Sequence, residues 1–225
     1  MSEAAPLQGY AFTLSGEALI ARGSGALYWP AQRTLCVSDL HLGKSERIAR
    51  RGGSALPPYE TQDTLQRLEE EIDALAPDQV ICLGDSFDDA AAAGALDGPT
   101  LIWLQRLQAG REWIWIEGNH DPGPVGLGGT HLADMSKPPL SFRHIAQTTA
   151  TGEISGHYHP KAAIKRTGGR ARPSFLIDSA RVIMPAFGTY TGGLHSHGSV
   201  LGSLMGRSAI AVLTGPVARA IPMPR

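Results

Sequence analysis

Three short runs in the first half of the chain share one build. RTLCVSDLHLG (33–43), DQVICLGDSFDD (78–89) and EWIWIEGNHDPG (112–123) each carry an apolar stretch that opens into a turn bearing an aspartate. Between the first two, PYETQDTLQRLEEEIDALAPD repeats apolar positions at helical spacing through Leu65, Leu68, Ile72 and Leu75, and Pro77 ends the pattern. Between the second and third, LDGPTLIWLQRLQAG reads as a shorter helix stopped by Gly110. Strands alternating with helices predict a parallel sheet covered on both faces. Sites in such sheets form at the carboxyl ends of the strands, where all three turns fall.

The pattern changes after residue 139. PLSFRHIA, ATGEISGHYHP, RPSFLIDSARVIMPAF and SAIAVLTGPVARAIPM are short apolar runs separated by turn residues, with few helical periods. They predict a mostly antiparallel sheet. ALYWPAQRTLCV, near the start, reads as a hairpin feeding that antiparallel arrangement, with Pro30 at its corner. DDAAAAGA and GPVGLGGT are small-residue loops, too short for linkers. The expected fold class is α/β, a two-sheet α/β sandwich flanked by helices, with residues 1–225 as a single domain.

Composition narrows the setting without naming a substrate. The 225 residues are 42% hydrophobic and 18% charged, enough apolar material for one substantial core. No segment approaches the roughly 20 apolar residues of a membrane span, and the N-terminus is acidic where a signal peptide is basic. A soluble, cytoplasmic protein with no membrane partner is expected. Cys36 and Cys82 each lie in a short apolar run, which fits buried free thiols and implies no disulfide framework. A formal net charge of -1 gives no global footprint of a nucleic-acid binder, which leaves only local basic patches for that role.

The chemistry is concentrated in the turns. In order they supply Asp39-x-His41, Gly84-Asp85, Gly118-Asn119-His120-Asp121, an isolated His144, and Gly156-His157-x-His159. Manganese, iron and zinc accept such mixtures of carboxylate, amide oxygen and imidazole, whereas calcium and magnesium rarely take so many imidazoles. Asp39, His41, Asp85, Asn119, His144, His157 and His159 are too many ligands for one ion, and they suit two ions sharing a carboxylate. Two ions about 3.5–4 Å apart can hold the attacking and leaving oxygens of a phosphoryl displacement and lower the pKa of a water between them. With few carboxylates, the surplus positive charge suits a phosphate ester.

These blocks resemble the calcineurin-like metallophosphoesterases, whose pattern is D-x-H, GD, GNH(D/E), H and GHxH. The resemblance spans roughly residues 33 to 160 and implies the fold of that family. It implies that Asp39, His41 and His159 hold a first metal, that Asp85 bridges, and that Asn119, His144 and His157 hold a second. It further implies that His120 stands beside the phosphate to protonate the leaving group or stabilise the transition state. Asp121 is expected to orient His120 through its other ring nitrogen. SDLHLGK, LGDSFDD, EGNHDP, GEISGHYHPKA and PAFGTYTGGL are similar to the bacterial ligase-associated DNA damage response endonucleases. That likeness implies two divalent ions, manganese foremost with iron or zinc as alternatives, and DNA as substrate, cut endonucleolytically on single strands. It also implies association with a DNA ligase, a helicase and an exonuclease. A nucleotide phosphatase or phosphodiesterase is the alternative in the same chemistry, and a non-catalytic metal-containing binding protein the alternative outside it.

Blander readings stand beside these. Asp39 or Asp85 alone reads as a helix N-cap. His131 is the other candidate for the fourth block. His195 and His197, in the glycine-rich GGLHSHGS, read as exposed loop histidines, with a substrate-side role open. Asp88 and Asp89 read as solvated turn acids or a cap. KSERIARRGG and PKAAIKRTGGRARP read as solvated basic faces that hold a DNA backbone if they lie on the rim. Phe87, Tyr158 and Tyr190 read first as packing residues and second as platforms for bases.

Overall fold

A computed structural model describes residues 8–53, 57–123, 126–164 and 170–225. An antiparallel meander of β1 (Tyr10–Leu14), β2 (Glu17–Ala21) and β3 (Leu27–Trp29) leads into β4 (Thr34–Val37) through a 3-10 turn at Pro30–Gln32. Proline's fixed φ suits the first position of such a turn, so the hairpin with Pro30 at its corner is present, but it feeds the first sheet rather than the antiparallel second one. From β4 the sheet continues through parallel β5 (Gln79–Leu83), β6 (Glu112–Ile116) and β7 (Thr130–Leu132), giving the order β1-β2-β3-β4-β5-β6-β7.

Both faces of β4, β5 and β6 are buried, which explains their continuous apolar runs, whereas β7 is a partly exposed edge strand. Val80 and Cys82 of β5, with Trp113 and Trp115 of β6, face one core. Ile81 and Leu83, with Ile114 and Ile116, face another. Helices α1 (Lys44–Arg50), α2 (Glu60–Leu75), α3 (Ala90–Gly94) and α4 (Gly98–Gln108) connect the parallel strands. Leu65, Leu68, Ile72 and Leu75 of α2 and Leu104 and Leu107 of α4 cover the first core. The helix α2 ends with Ala76 in the left-handed region, immediately before Pro77.

The second sheet contains β8 (Asp134–Lys137), β9 (Leu140–Arg143), β10 (Glu153–Ser155), β11 (Lys161–Ala162), β12 (Arg172–Ile177), β13 (Arg181–Ile183), β14 (Ile210–Leu213) and β15 (Arg219–Pro222). Its order is β15-β14-β12-β13-β10-β9-β8, with β11 paired to β12. The expected antiparallel character holds for most pairs, yet β10 runs parallel to both β9 and β13. Strands of three and four residues carry no directional signal in sequence. The inner faces of the two sheets share the second core, in which Ile81 and Ile114 meet Phe142, Ile154 and Phe175. A further helix, α5 (Ser199–Leu204), packs Leu201 against the outer face of the second sheet, although six residues with an internal glycine show no helical period. The architecture is therefore an α/β sandwich of two mixed sheets flanked by helices. Parts of GPVGLGGT (residues 124–125) and PKAAIKRTGGRARP (165–169) lie outside the described residues.

Candidate metal centre

Each of the seven expected ligands sits within four residues of a strand's carboxyl end: Asp39 and His41 after β4, Asp85 after β5, Asn119 after β6, His144 after β9, and His157 and His159 after β10. The parallel placement of β9 and β10 is what brings the second sheet's turns to the same edge as the first's. Left-handed backbone is concentrated here. Asp39 (φ 52°), His41 (47°), Asp85 (46°), His157 (70°) and His159 (45°) are five of the nine non-glycine residues with positive φ among those described. Such conformations cost on the order of 1 kcal/mol each and persist where the surroundings enforce them. GHYHP is accordingly a turn that follows β10.

Backbone hydrogen bonds enforce those turns. Asp39 N–H donates to Gly84 O (3.2 Å), His41 N–H to Asp85 O (2.9 Å), Gly188 N–H to Asp39 O (3.0 Å) and Gly156 N–H to His144 O (2.9 Å). The motif glycines are there for close approach. A Cβ at Gly84 would collide with the His144 ring, and one at Gly118 with the backbone and carboxylate of Asp85.

The expected ligands form two donor groups, and His41 also belongs to a third with Asp88 and His120. In the first, His159 Nε2 lies 3.1 Å from Asp39 Oδ1 and 3.4 Å from His41 Nε2. In the second, His144 Nε2 lies 3.3 Å from Asp85 Oδ2, 3.1 Å from Asn119 Oδ1 and 3.2 Å from His157 Nδ1. Asp39, His41, Asp85 and His144 are buried, and Asn119 is exposed at the rim. The donor atoms of Asp39, His41 and His159, and those of Asp85, His144 and His157, lie within 4.8 Å of one another in each group. The groups also touch, since His157 N–H donates to Asp39 Oδ2 (3.0 Å).

This donor set fits cations. His144 Nδ1 faces the Leu83 carbonyl at 3.0 Å, so that nitrogen carries a proton and Nε2 is the atom turned toward a carboxylate, an amide oxygen and a second imidazole, where either a proton or a cation meets their lone pairs. Lone pairs converging from four sides call for a positive centre. The same demand appears in the titration of the groups. Burial opposes charge on His144, but Asp85 and Asp39 outweigh it and raise the His144 pKa to about 9. Burial likewise opposes the Asp85 carboxylate, and His144 together with the His120 N–H brings its pKa down to about 2. Burial and the charge of His144 lower the pKa of His157.

His120 stands beside the groups without belonging to either expected ligand set. Its ring meets that of His41 edge to face at 5.1 Å, and its N–H donates to Asp85 Oδ1 at 2.8 Å. Its Nδ1 lies 2.8 Å from the Asp88 carbonyl, which leaves Nε2 as the working nitrogen. The expected bond from Asp121 to His120 is not the one formed. The Asp121 carboxylate accepts from Ser86 N–H (2.8 Å), Phe87 N–H (3.1 Å) and Gly118 N–H (3.1 Å), so it ties the second turn to the third. Burial raises its pKa to about 6 despite those bonds. Three backbone donors at the turn outcompete a single imidazole.

Asp88 is the functional residue that the sequence reading passed over. It is fully buried rather than solvated, with its carboxylate 2.8 Å from His41 Nδ1, 3.7 Å from Lys44 Nζ, and paired with Arg47. One residue thus orients His41 through its carboxylate and His120 through its carbonyl. Its position three residues after Asp85, on the turn leaving β5, was the available signal. Asp89, by contrast, caps α3 through Ala92 N–H and pairs with Arg50 and Arg51.

A family model for calcineurin-like phosphoesterases matches residues 32–176. The chain belongs to the calcineurin-like metallophosphoesterases. It is also similar to a solved structure, that of the Pseudomonas putida nuclease MPE, at 27% sequence identity and a TM-score of 0.76, covering 94% of this chain and 99% of that one. No curated protein matches the chain. Metal-dependent hydrolysis of phosphoesters follows from the family, as does the use of two divalent ions, for which the two donor groups provide the places.

Other histidines in this phosphoesterase lie elsewhere. His131 stacks on Trp115 at 6.2 Å, on β7, while His144 joins Asp85 and His157. His195 and His197 stack on each other at 5.2 Å and are exposed, as expected of loop histidines. Phe87 is buried against Trp115, and Tyr158 packs beside the cluster between α5 and the outer face of the second sheet, so both serve packing. Tyr190 is 43% exposed. Among the described residues no helix is long and apolar enough to cross a membrane.

Proposed function

We propose that the chain is a DNA-cleaving phosphodiesterase, an endonuclease of DNA repair that acts on single strands in the cytoplasm, with residues 1–225 as one catalytic domain. The observation that carries this reading is the coupling of the two-group centre to a basic flank. Through Asp88 and Asp89, Lys44, Arg47, Arg50 and Arg51 are drawn to the edge of the centre, four cations against those two acids and Glu46. A phosphate lying between the donor groups would have its neighbours along a strand beside α1. The nuclease named among the similar structures supports the same substrate class.

Within this reading Asp39, His41 and His159 hold one ion, Asn119, His144 and His157 the other, and Asp85 is shared. Manganese fits this oxygen and imidazole set, with iron or zinc as alternatives. Bound there, the ions supply Lewis acidity at the phosphate and a nucleophile from water at neutral pH. The protein's own part is orientation and proton delivery. Asp88 fixes His41 and His120, and His120, protonated on Nε2, gives that proton to the departing oxygen. Functional association with a DNA ligase, a helicase and an exonuclease suits an enzyme that opens strands for resealing.

The test is an assay of metal-stripped protein, with manganese restored, on labelled single-stranded DNA, duplex DNA and bis-p-nitrophenyl phosphate. Single strands are expected to be cut, with a steep loss of rate as salt rises. Hydrolysis of the small diester without any DNA cleavage would replace this reading with a small-molecule nucleotide phosphatase or phosphodiesterase.

A further inference from the structure

A cavity of about 360 Å³ opens directly beside the second donor group, sharing Asn119 and His144 with it. Pockets for small ligands run from roughly 300 to 1,000 Å³, so this one has room for a single base and none for a stretch of duplex. Beyond the two shared residues its wall includes Glu117, Asp134, Arg143 and Ile145. Glu117 follows β6, with its N–H held by Leu132 O at 2.9 Å, and Asp134 is the cross-strand partner of Arg143 in the β8–β9 pair.

The charge of the wall decides what suits it. Arg143 Nε is turned to the buried Glu153, 3.3 Å away, which Arg181 also faces, so the wall sets one arginine against two acids. Glu117 and Asp134 then leave the cavity acidic, which disfavours a second phosphate. Carboxylates accept hydrogen bonds, and the exocyclic amino groups of adenine, cytosine and guanine donate them. Ile145 is 46% exposed and offers an apolar face against which a ring can lie.

We infer that this cavity is a subsite for one unpaired, amino-bearing base of the nucleotide adjoining the scissile phosphate. It rests on the reading of the centre as a nuclease and extends it. A paired base has its Watson–Crick edge occupied and cannot enter, so the cavity selects single strands. Thymine, with no amino group, is the poorest fit.

The experiment compares kcat/KM on oligo(dC), oligo(dA) and oligo(dT) of one length, with bis-p-nitrophenyl phosphate as the substrate that has no base. The wild type is expected to favour oligo(dC) and oligo(dA) over oligo(dT) by roughly tenfold. Asp134→Asn and Glu117→Gln are expected to bring that ratio toward one and to lower DNA cleavage several-fold more than diester hydrolysis. Equal rates of the wild type on all three oligonucleotides, or an unchanged ranking in both variants, overturns the subsite while leaving the nuclease reading in place. A wild type that hydrolyses the small diester and cuts no oligonucleotide overturns both.

Discussion

On the proposed reading Asp88 holds and His120 reacts, so their variants should fail differently. His120→Ala removes a proton donor that belongs to neither ligand set. A loss of about 10²–10⁴-fold in kcat on bis-p-nitrophenyl phosphate is expected, with metal content by elemental analysis unchanged. Asp88→Asn keeps the carbonyl that orients His120 but loses the carboxylate that fixes His41 and neutralises Arg47 and Lys44. Residues that orient ligands typically carry about 10–100-fold in metal affinity or activity. The expected signature is weaker manganese binding by calorimetry, with activity recovered at high metal. Equal, metal-independent losses in the two variants would contradict this division.

At the scale of elements, the segment 187–193 is held in place by helix α2. Arg67 donates to Phe187 O (2.8 Å) and Thr189 Oγ1 (2.9 Å), and Thr189 N–H donates to Thr64 Oγ1 (3.1 Å). The Thr189 hydroxyl in turn donates to Asp63. The bond from Thr189, with Arg67, lowers the Asp63 pKa against the opposing effect of burial. A carboxyl with a depressed folded pKa stabilises the fold above its unfolded value of about 3.9, and that contribution disappears as pH falls through the folded value. Unfolding followed by urea titration between about pH 5 and 2 should therefore be less acid-sensitive in Asp63→Asn than in the wild type. The helix also covers the core directly. Leu68 is fully buried, and Leu68→Ala is expected to cost about 2–5 kcal/mol in the same titration without altering metal stoichiometry.

At the scale of the whole molecule, the centre lies where the carboxyl ends of strands from both sheets converge, so metal binding and sheet packing are coupled. Ligands that bind only the folded state stabilise it by about 2.7 kcal/mol at a hundredfold excess over Kd. Chelation should therefore lower the unfolding temperature of the wild type, and, on the proposed reading in which Asp85 is shared, Asp85→Ala should reduce that drop because both ions would lose a ligand. His157 and His159, two residues apart, reach different groups. His157→Ala and His159→Ala should each retain about one tightly bound ion, distinguishable by whether the remaining defect is rescued by excess metal. Identical loading curves would argue for a single shared site.

The sequence by itself determined the parallel strands, the two longer helices and the family, because continuous apolar runs, helical spacing and five ordered blocks are all local patterns. It also supplied the ligand types, since D-x-H, GD, GNHD and GHYHP are each written within a few residues. Tertiary structure alone decided the partnerships. The parallel course of β9 and β10 could not be read from strands of three and four residues, yet it brings His144 and His157 to Asp85 and leaves His131 on Trp115. Asp88 reads as a surface acid in sequence because nothing local announces that Lys44, Arg47 and His41 will enclose it. Asp121 reads as a partner for its neighbour His120, and folding gives it three backbone N–H groups from two turns instead. Side-chain chemistry is local to the chain, whereas the competition for each hydrogen bond is settled among groups that only the packed sheets bring together.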